Sequence, residues 1–130
     1  MESADYLALT EDVLRKSKIR FTRTERGYGI EGNQNYELPA ETVVEGDYSS
    51  AAFFLCAGAI SDSCGIGVFP LAPDSEQGDR RILEVLAQFG ASIKISEGKI
   101  CVNRKDLQGI VIDASMIPDL IPVLSVVASV

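Results

Sequence analysis

The chain has 130 residues and a formal net charge of −7, with 46% hydrophobic and 24% charged residues. Its length suits one domain of ordinary globular composition, and its acidity argues against nucleic-acid binding, which needs clustered Lys and Arg. The sequence contains no histidine, which excludes histidine general bases and histidine metal ligands.

The first half of the chain alternates helical and strand-like patterns. Asp47, with serines two and three positions later, is a typical helix N-cap before an apolar run. The periodicity predicts, in order, a helix over residues 6–18, a hairpin of strands 19–24 and 28–31, a short strand 42–44 and a buried helix 51–60.

The second half continues in the same manner. Gly90 is expected to end a helix, and Glu97-Gly98 forms a turn-like pair between two strands. The predicted elements are a strand 66–69, a helix 76–89, strands 92–95 and 99–102, a strand 109–113 and a final helix 118–130.

The order helix, hairpin, strand, helix therefore occurs twice, with an offset of about 70 residues. This self-similarity predicts an α/β (α+β) chain of two tandem βαβαββ units, approximately 1–65 and 66–130. Chance alternation of α and β elements is the alternative interpretation. The last predicted helix reaches Val130 without a cap, so we expect either that the chain is part of a longer protein or that this helix frays at its end.

The cysteines Cys56, Cys64 and Cys101 fit no metal-binding spacing and are interpreted as reduced thiols. The longest apolar stretch, residues 51–60, is too short for the ~20 residues of a membrane span. We therefore expect a cytoplasmic protein with no cofactor, no nucleic-acid partner and no membrane contact.

Three ordered motifs between residues 44 and 120, supported by the N-terminal Ser3-Ala4-Asp5-Tyr6, carry a resemblance to a known family that covers almost the whole chain. They are Val44-Glu45-Gly46-Asp47-Tyr48-Ser49-Ser50-Ala51-Ala52-Phe53-Phe54-Leu55, Gln77-Gly78-Asp79 with the following helix, and Asp113 with Ile117-Pro118-Asp119-Leu120. In these segments the chain resembles EPSP synthase, an enolpyruvyl transferase, in its second globular domain. The resemblance implies the inside-out α/β barrel fold and a monomeric parent that transfers the enolpyruvyl group of phosphoenolpyruvate to the 5-hydroxyl of shikimate 3-phosphate.

The resemblance also implies site residues. Asp119 corresponds to the proton acceptor, which also contacts the substrate. Ser3 corresponds to a serine that holds the substrate phosphate, and Tyr6 to a neighbouring substrate contact. Without the resemblance, Asp119 and Ser3 would be interpreted as helix caps, and a capping role is also predicted for Asp47, Ser49, Gln77 and Asp79.

Two alternatives remain open at this point. The chain could belong to the sister family, UDP-N-acetylglucosamine 1-carboxyvinyltransferase, which shares the fold and chemistry, or be a non-catalytic βαβαββ scaffold module. Because the net charge is −7, the chain lacks the cations that would gather two anionic substrates, and alone it is expected to be inactive.

Overall fold

A computed structural model describes residues 4–62 and 64–130 as a mixed α and β chain. Within these ranges, no helix is long and apolar enough to cross a membrane. The helices and strands in chain order are α1 (Ala4–Lys16), β1 (Phe21–Thr24), β2 (Gly27–Ile30), α2 (Tyr48–Ile60), β3 (Ile66–Val68), α3 (Ile82–Phe89), β4 (Ser92–Ser96), β5 (Lys99–Asn103) and α4 (Ile121–Ala128).

Helix α1 ends two residues before the predicted end because the chain turns left-handed at Lys18. That residue has a φ of 57°. The Ile19 N–H donates to the Leu14 carbonyl at 2.9 Å, and the Lys18 N–H donates to the Arg15 carbonyl at 3.0 Å. These two bonds form a Schellman motif, which satisfies the last carbonyls of the helix.

The predicted hairpin β1–β2 is confirmed as an antiparallel pair, and a buried carboxylate joins it to α1. The Glu11 side chain lies between the two elements and accepts hydrogen bonds from the Tyr28 hydroxyl and the Arg15 guanidinium, both at 2.6 Å. A buried charge is stable only when it is paired in this way. The hairpin is thereby fixed to the helix.

A second, three-stranded antiparallel sheet has the order β3-β5-β4. The predicted hairpin around Glu97 and Gly98 is confirmed. Both residues have positive φ, 46° and 75°, as a two-residue type I′ turn requires. The strand predicted over residues 66–69 is confirmed as β3.

Helix α2 crosses this sheet at close range and forms the centre of the hydrophobic core. A Cβ on Gly58 would lie 2.7 Å from the Val102 carbonyl oxygen, so only glycine permits this approach. Phe53 and Phe54 point away from the core and are 62% and 59% exposed, so the predicted burial of this helix holds for one face only. The core comprises Tyr48, Ala51, Ala52, Leu55, Cys56, Ala59, Leu71, Ile82, Leu83, Val85, Leu86, Phe89, Ala91, Ile100, Val102, Ile117, Leu120, Val123, Leu124 and Val127.

Two predicted strands, 42–44 and 109–113, are wrong. Neither segment pairs with another strand within the described ranges, and Val43 and Val44 are 91% and 87% exposed. In the second segment Ile110 and Ile112 do pack against the core, while Val111 is 97% exposed. The alternation of inward-facing and exposed side chains that predicts a strand is present there. A strand also needs a neighbouring strand to hydrogen-bond with its backbone.

Two predicted helices begin later than expected, each after a 3₁₀ turn. Gly78–Arg81 forms such a turn before α3, and Pro118–Leu120 forms one before α4. Gly90, with a φ of 104°, ends α3 as predicted. Short 3₁₀ turns are common at helix starts, and the second places a proline where its missing N–H costs nothing.

Candidate functional site

Two of the predicted site residues meet, although 113 positions separate them in the sequence. The Tyr6 hydroxyl, on the first turn of α1, donates a hydrogen bond to Asp119 Oδ2 at 3.0 Å. Both residues are exposed at the surface. The contact brings the start of α1 against the turn that precedes α4.

The turn Pro118–Leu120 presents Asp119 to solvent because its neighbours are anchored inside. Ile117 and Leu120 are fully buried, and the Leu120 N–H donates to the Ile117 carbonyl at 3.1 Å. In a 3₁₀ turn, residues three apart lie on one face, so these two side chains point inwards together. Asp119 lies on another face of the turn and points outwards.

Asp119 and Tyr6 line a cavity of about 370 Å³ that is open to solvent. Four segments meet there: the start of α1, the segment leading into α2, the turn before α3 and the turn before α4. The lining residues are Tyr6, Leu9, Val44, Glu45, Asp47, Ser49, Gln77, Gly78, Asp79, Met116, Pro118 and Asp119.

Helix α2 begins at this cavity, and its N-terminus is capped by Asp47 as predicted. The Asp47 carboxylate accepts the backbone N–H groups of Ser49 and Ser50, both at 3.1 Å, and the Ser50 hydroxyl. These hydrogen bonds, led by that of the hydroxyl, lower the pKa of Asp47. The cap consumes N–H groups that would otherwise attract an anion.

Gln77 also holds the start of α2 in place, which differs from its predicted role as a helix cap. Its side chain makes no capping bond to the turn that follows it. Instead, its Oε1 accepts the Tyr48 N–H at 2.8 Å, and its Nε2 donates to the Gly46 carbonyl at 2.9 Å and to Glu45 Oε1 at 3.0 Å. Gln77 therefore fastens the segment leading into α2 to the turn before α3.

Ser49 makes a second link between the same elements, since its hydroxyl donates to Asp79 Oδ2. The sequence identifies the motifs that contain these residues, but it does not predict the contacts between them. The partners lie about thirty residues apart, and a local capping pattern carries no signal of a contact over that separation.

All the charged residues that line the described part of the cavity are acidic. Four lining residues are carboxylates, and none is Lys or Arg. The hydrogen bond to Asp119 and the charge of that carboxylate raise the pKa of Tyr6, with smaller contributions from Asp79 and Asp47. The phenol therefore stays protonated, as a hydrogen-bond donor, at neutral pH.

The third predicted site residue, Ser3, lies outside the described residues. Where the chain is described, no group of three or more Cys, Asp or Glu residues could hold a metal ion. Among the described residues, the candidate site therefore consists of Asp119, its hydrogen-bond partner Tyr6 and the other carboxylates that line the cavity, which together are called the acidic wall.

Comparison with known proteins assigns the chain to a family. The family model for EPSP synthase (3-phosphoshikimate 1-carboxyvinyltransferase) matches residues 1–130. The chain belongs to the EPSP synthase family. The resemblance in the three motifs is thereby confirmed.

Curated relatives agree with this assignment. The 3-phosphoshikimate 1-carboxyvinyltransferase of Methanocaldococcus jannaschii is 37% identical over 127 residues, which is 97% of this chain and 29% of that protein. Those of Methanococcus maripaludis (strain C5) and Clostridium perfringens (strain SM101 / Type A) are 40% and 42% identical over 131 residues. The chain spans less than a third of the length of these EPSP synthases.

Proposed function

We propose that this chain is one part of a longer 3-phosphoshikimate 1-carboxyvinyltransferase, called the parent enzyme below. The reaction transfers the enolpyruvyl group of phosphoenolpyruvate to the 5-hydroxyl of shikimate 3-phosphate and releases phosphate. The family match over the whole chain and the names of the relatives support this reading over the amino-sugar transferase.

In this proposal Asp119 accepts the proton of the shikimate hydroxyl. As the O–H bond breaks, the proton passes to a carboxylate oxygen, and the hydroxyl oxygen bonds to the phosphate-bearing carbon of phosphoenolpyruvate while the C=C π pair takes up a proton at the methylene carbon from an acid of the parent enzyme. The tetrahedral intermediate then loses a proton from the new methyl group and loses phosphate as the leaving group, which restores the C=C bond. General base catalysis requires a carboxylate within hydrogen-bond reach of the hydroxyl. The observation that carries the proposal is that Asp119 lines an open cavity and already accepts a hydroxyl hydrogen bond there, from Tyr6.

Ser3 is proposed to hold the phosphate group of shikimate 3-phosphate. It precedes Tyr6 by three positions in the sequence. A serine hydroxyl can donate to a phosphate oxygen, and in this role Ser3 would bind the substrate through its phosphate group.

The cations for both anionic substrates are proposed to come from other parts of the parent enzyme. The described wall of the cavity is acidic, and phosphates and carboxylates are repelled by such a wall unless Lys or Arg faces it. This chain alone would then be inactive.

In the parent enzyme we also propose that the chain forms two βαβαββ units, approximately 1–65 and 66–130, within an inside-out barrel. We propose that the parent enzyme is a monomeric cytoplasmic protein.

Phosphate release by the purified parent enzyme tests the proposal. With phosphoenolpyruvate present, we expect turnover with shikimate 3-phosphate and none with UDP-N-acetylglucosamine, and no turnover by the 130-residue chain with either acceptor. Preference for the amino sugar would assign the chain to the sister family. No turnover with either acceptor would favour the scaffold alternative.

A further inference from the structure

The segment from α1 to α2, here called the first copy, recurs as the segment from α3 to α4, the second copy. The left-handed residue that ends α1 is Lys18, and the one that ends α3 is Gly90, 72 positions later. The same offset relates the buried residues at the start of α2 to those at the start of α4. The residues of the two sets, all buried, are Tyr48, Ala51, Ala52 and Leu55 in the first copy and Leu120, Val123, Leu124 and Val127 in the second.

At this offset Asp119 is the equivalent of Asp47, yet the two carboxylates have different partners. Asp47 has an extended backbone just before α2, and it accepts the N–H groups of Ser49 and Ser50 and the Ser50 hydroxyl. Among residues 4–62 and 64–130, Asp119 accepts a hydrogen bond only from the Tyr6 hydroxyl. The first carboxylate is therefore occupied by a helix cap, and the second is available to a ligand.

Two prolines of the second copy account for this difference. Pro122 stands where the first copy has Ser50, and a proline offers neither an N–H group nor a hydroxyl. Pro118 stands where the first copy has Gly46, and it occupies the first position of the 3₁₀ turn before α4. Because the φ of proline suits a helix start, the turn begins before Asp119 and not after it. Asp119 thus lies inside the turn, away from the cap position.

We propose that Pro118 and Pro122 are positioning residues that keep the Asp119 carboxylate out of the cap of α4 and leave it free to face the shikimate hydroxyl. This inference rests on the proposed function, in which Asp119 accepts the proton of that hydroxyl. The two prolines act through the aspartate and take no part in the transfer of the proton.

The cap of the first copy shows what the prolines prevent. Its hydrogen bonds, led by that of the Ser50 hydroxyl, lower the pKa of Asp47. Donors of this kind stabilise the ionised carboxylate and occupy its oxygens, so a carboxylate held by them is a weaker base. An aspartate that has to accept a substrate proton is therefore better placed outside such a cap.

Rebuilding the cap in the complete parent enzyme tests the inference. We expect Pro118→Gly/Pro122→Ser, which restores the residues of the first copy, to lower kcat roughly tenfold. The acid limb of the kcat–pH profile should move to lower pH, because the new donors favour the ionised carboxylate. The other carboxylates of the cavity, Glu45, Asp47 and Asp79, are unchanged in this variant.

Two comparisons separate this role from a loss of rigidity. Pro122→Ala removes the same ring as Pro122→Ser but brings no hydroxyl, so the serine variant should lose more kcat than the alanine variant. In an Asp119→Asn background, the double change should lower kcat no further, since the carboxylate through which the prolines act is absent. Equal losses for serine and alanine, or an undiminished loss in the Asp119→Asn background, would refute the inference.

A crystal structure of the double variant of the parent enzyme gives a readout that does not depend on activity. We expect the Asp119 carboxylate to accept the N–H groups of residues 121 and 122 and the introduced hydroxyl. A carboxylate that keeps its wild-type position would overturn the inference, whatever the kinetics. If the carboxylate moves into the cap but the wild-type parent enzyme does not turn over shikimate 3-phosphate, the proposed function fails and the effect of the prolines on the cap stands.

Discussion

At the scale of single residues, Asp47 shows how the start of α2 is stabilised. Its carboxylate accepts two backbone N–H groups, and the Gln77 amide accepts a third, that of Tyr48. The sequence predicted the role of Asp47, because a capping pattern is local. It could not predict that of Gln77, or the meeting of Tyr6 with Asp119, because these contacts depend on how distant elements pack.

Replacement of Asp47 tests the cap. We expect Asp47→Ala to lower the free energy of unfolding of this chain by about 1 kcal/mol at pH 7, since two N–H groups lose their partner. Asp47→Asn, which keeps an acceptor oxygen, should lose less. Urea unfolding followed by circular dichroism measures both, and an alanine variant as stable as the wild type would show that the cap contributes nothing.

The same residue predicts a pH dependence. Because folding lowers the pKa of Asp47, its contribution is fully present above the unfolded pKa of about 3.9 and is lost as the pH falls through the lower folded value. The stability difference between the wild type and Asp47→Ala should therefore shrink below about pH 4. A difference that stays constant down to pH 2 would contradict this assignment.

At the scale of elements, periodicity identified the helices and both hairpins, but two predicted strands failed. Residues 42–44 and 109–113 have the strand pattern, yet no neighbouring strand pairs with them in the described parts of the chain. The alternation of apolar and polar residues indicates which side chains could face the core, as Ile110 and Ile112 do. Pairing depends on a partner, which a single segment does not encode.

The segment leading into α2 has a tight packing requirement of its own. A Cβ on Gly46 would lie 1.9 Å from the Pro70 carbonyl oxygen, whereas a Cβ on Gly32 would meet nothing within 4 Å. We expect Gly46→Ala to destabilise the chain by about 2 kcal/mol through overpacking, and Gly32→Ala to leave it nearly unchanged. Thermal unfolding of the two variants provides the comparison, and equal midpoints would contradict the packing described here.

At the scale of the whole molecule, the core is built from α2, α3, α4 and the second sheet, with Cys56 inside it. Burial raises the pKa of the Cys56 thiol to about 12. A thiol reagent at pH 8 should therefore label Cys64, which is exposed, in the native chain and reach Cys56 only on unfolding. Fast native labelling of Cys56, identified by peptide mass analysis, would disagree with this core.

Two properties of the whole chain support the proposal that other parts of the parent enzyme complete the site. The described part of the cavity wall carries carboxylates and no cation, and the chain spans less than a third of its relatives. Composition already indicated an excess of acidic residues through the net charge of −7. The position of the acidic wall around Asp119 emerged only from the fold.

The most direct test of the account replaces Asp119 in the complete parent enzyme. Phosphate release from shikimate 3-phosphate and phosphoenolpyruvate should fall at least about 100-fold in kcat for Asp119→Asn, since the proton acceptor is lost. Asp113→Asn is the matched control, because its carboxylate is hydrogen-bonded to Ser115 of its own turn and lies outside the cavity. We expect near wild-type activity for that control. A folded Asp119→Asn enzyme with wild-type kcat would contradict it.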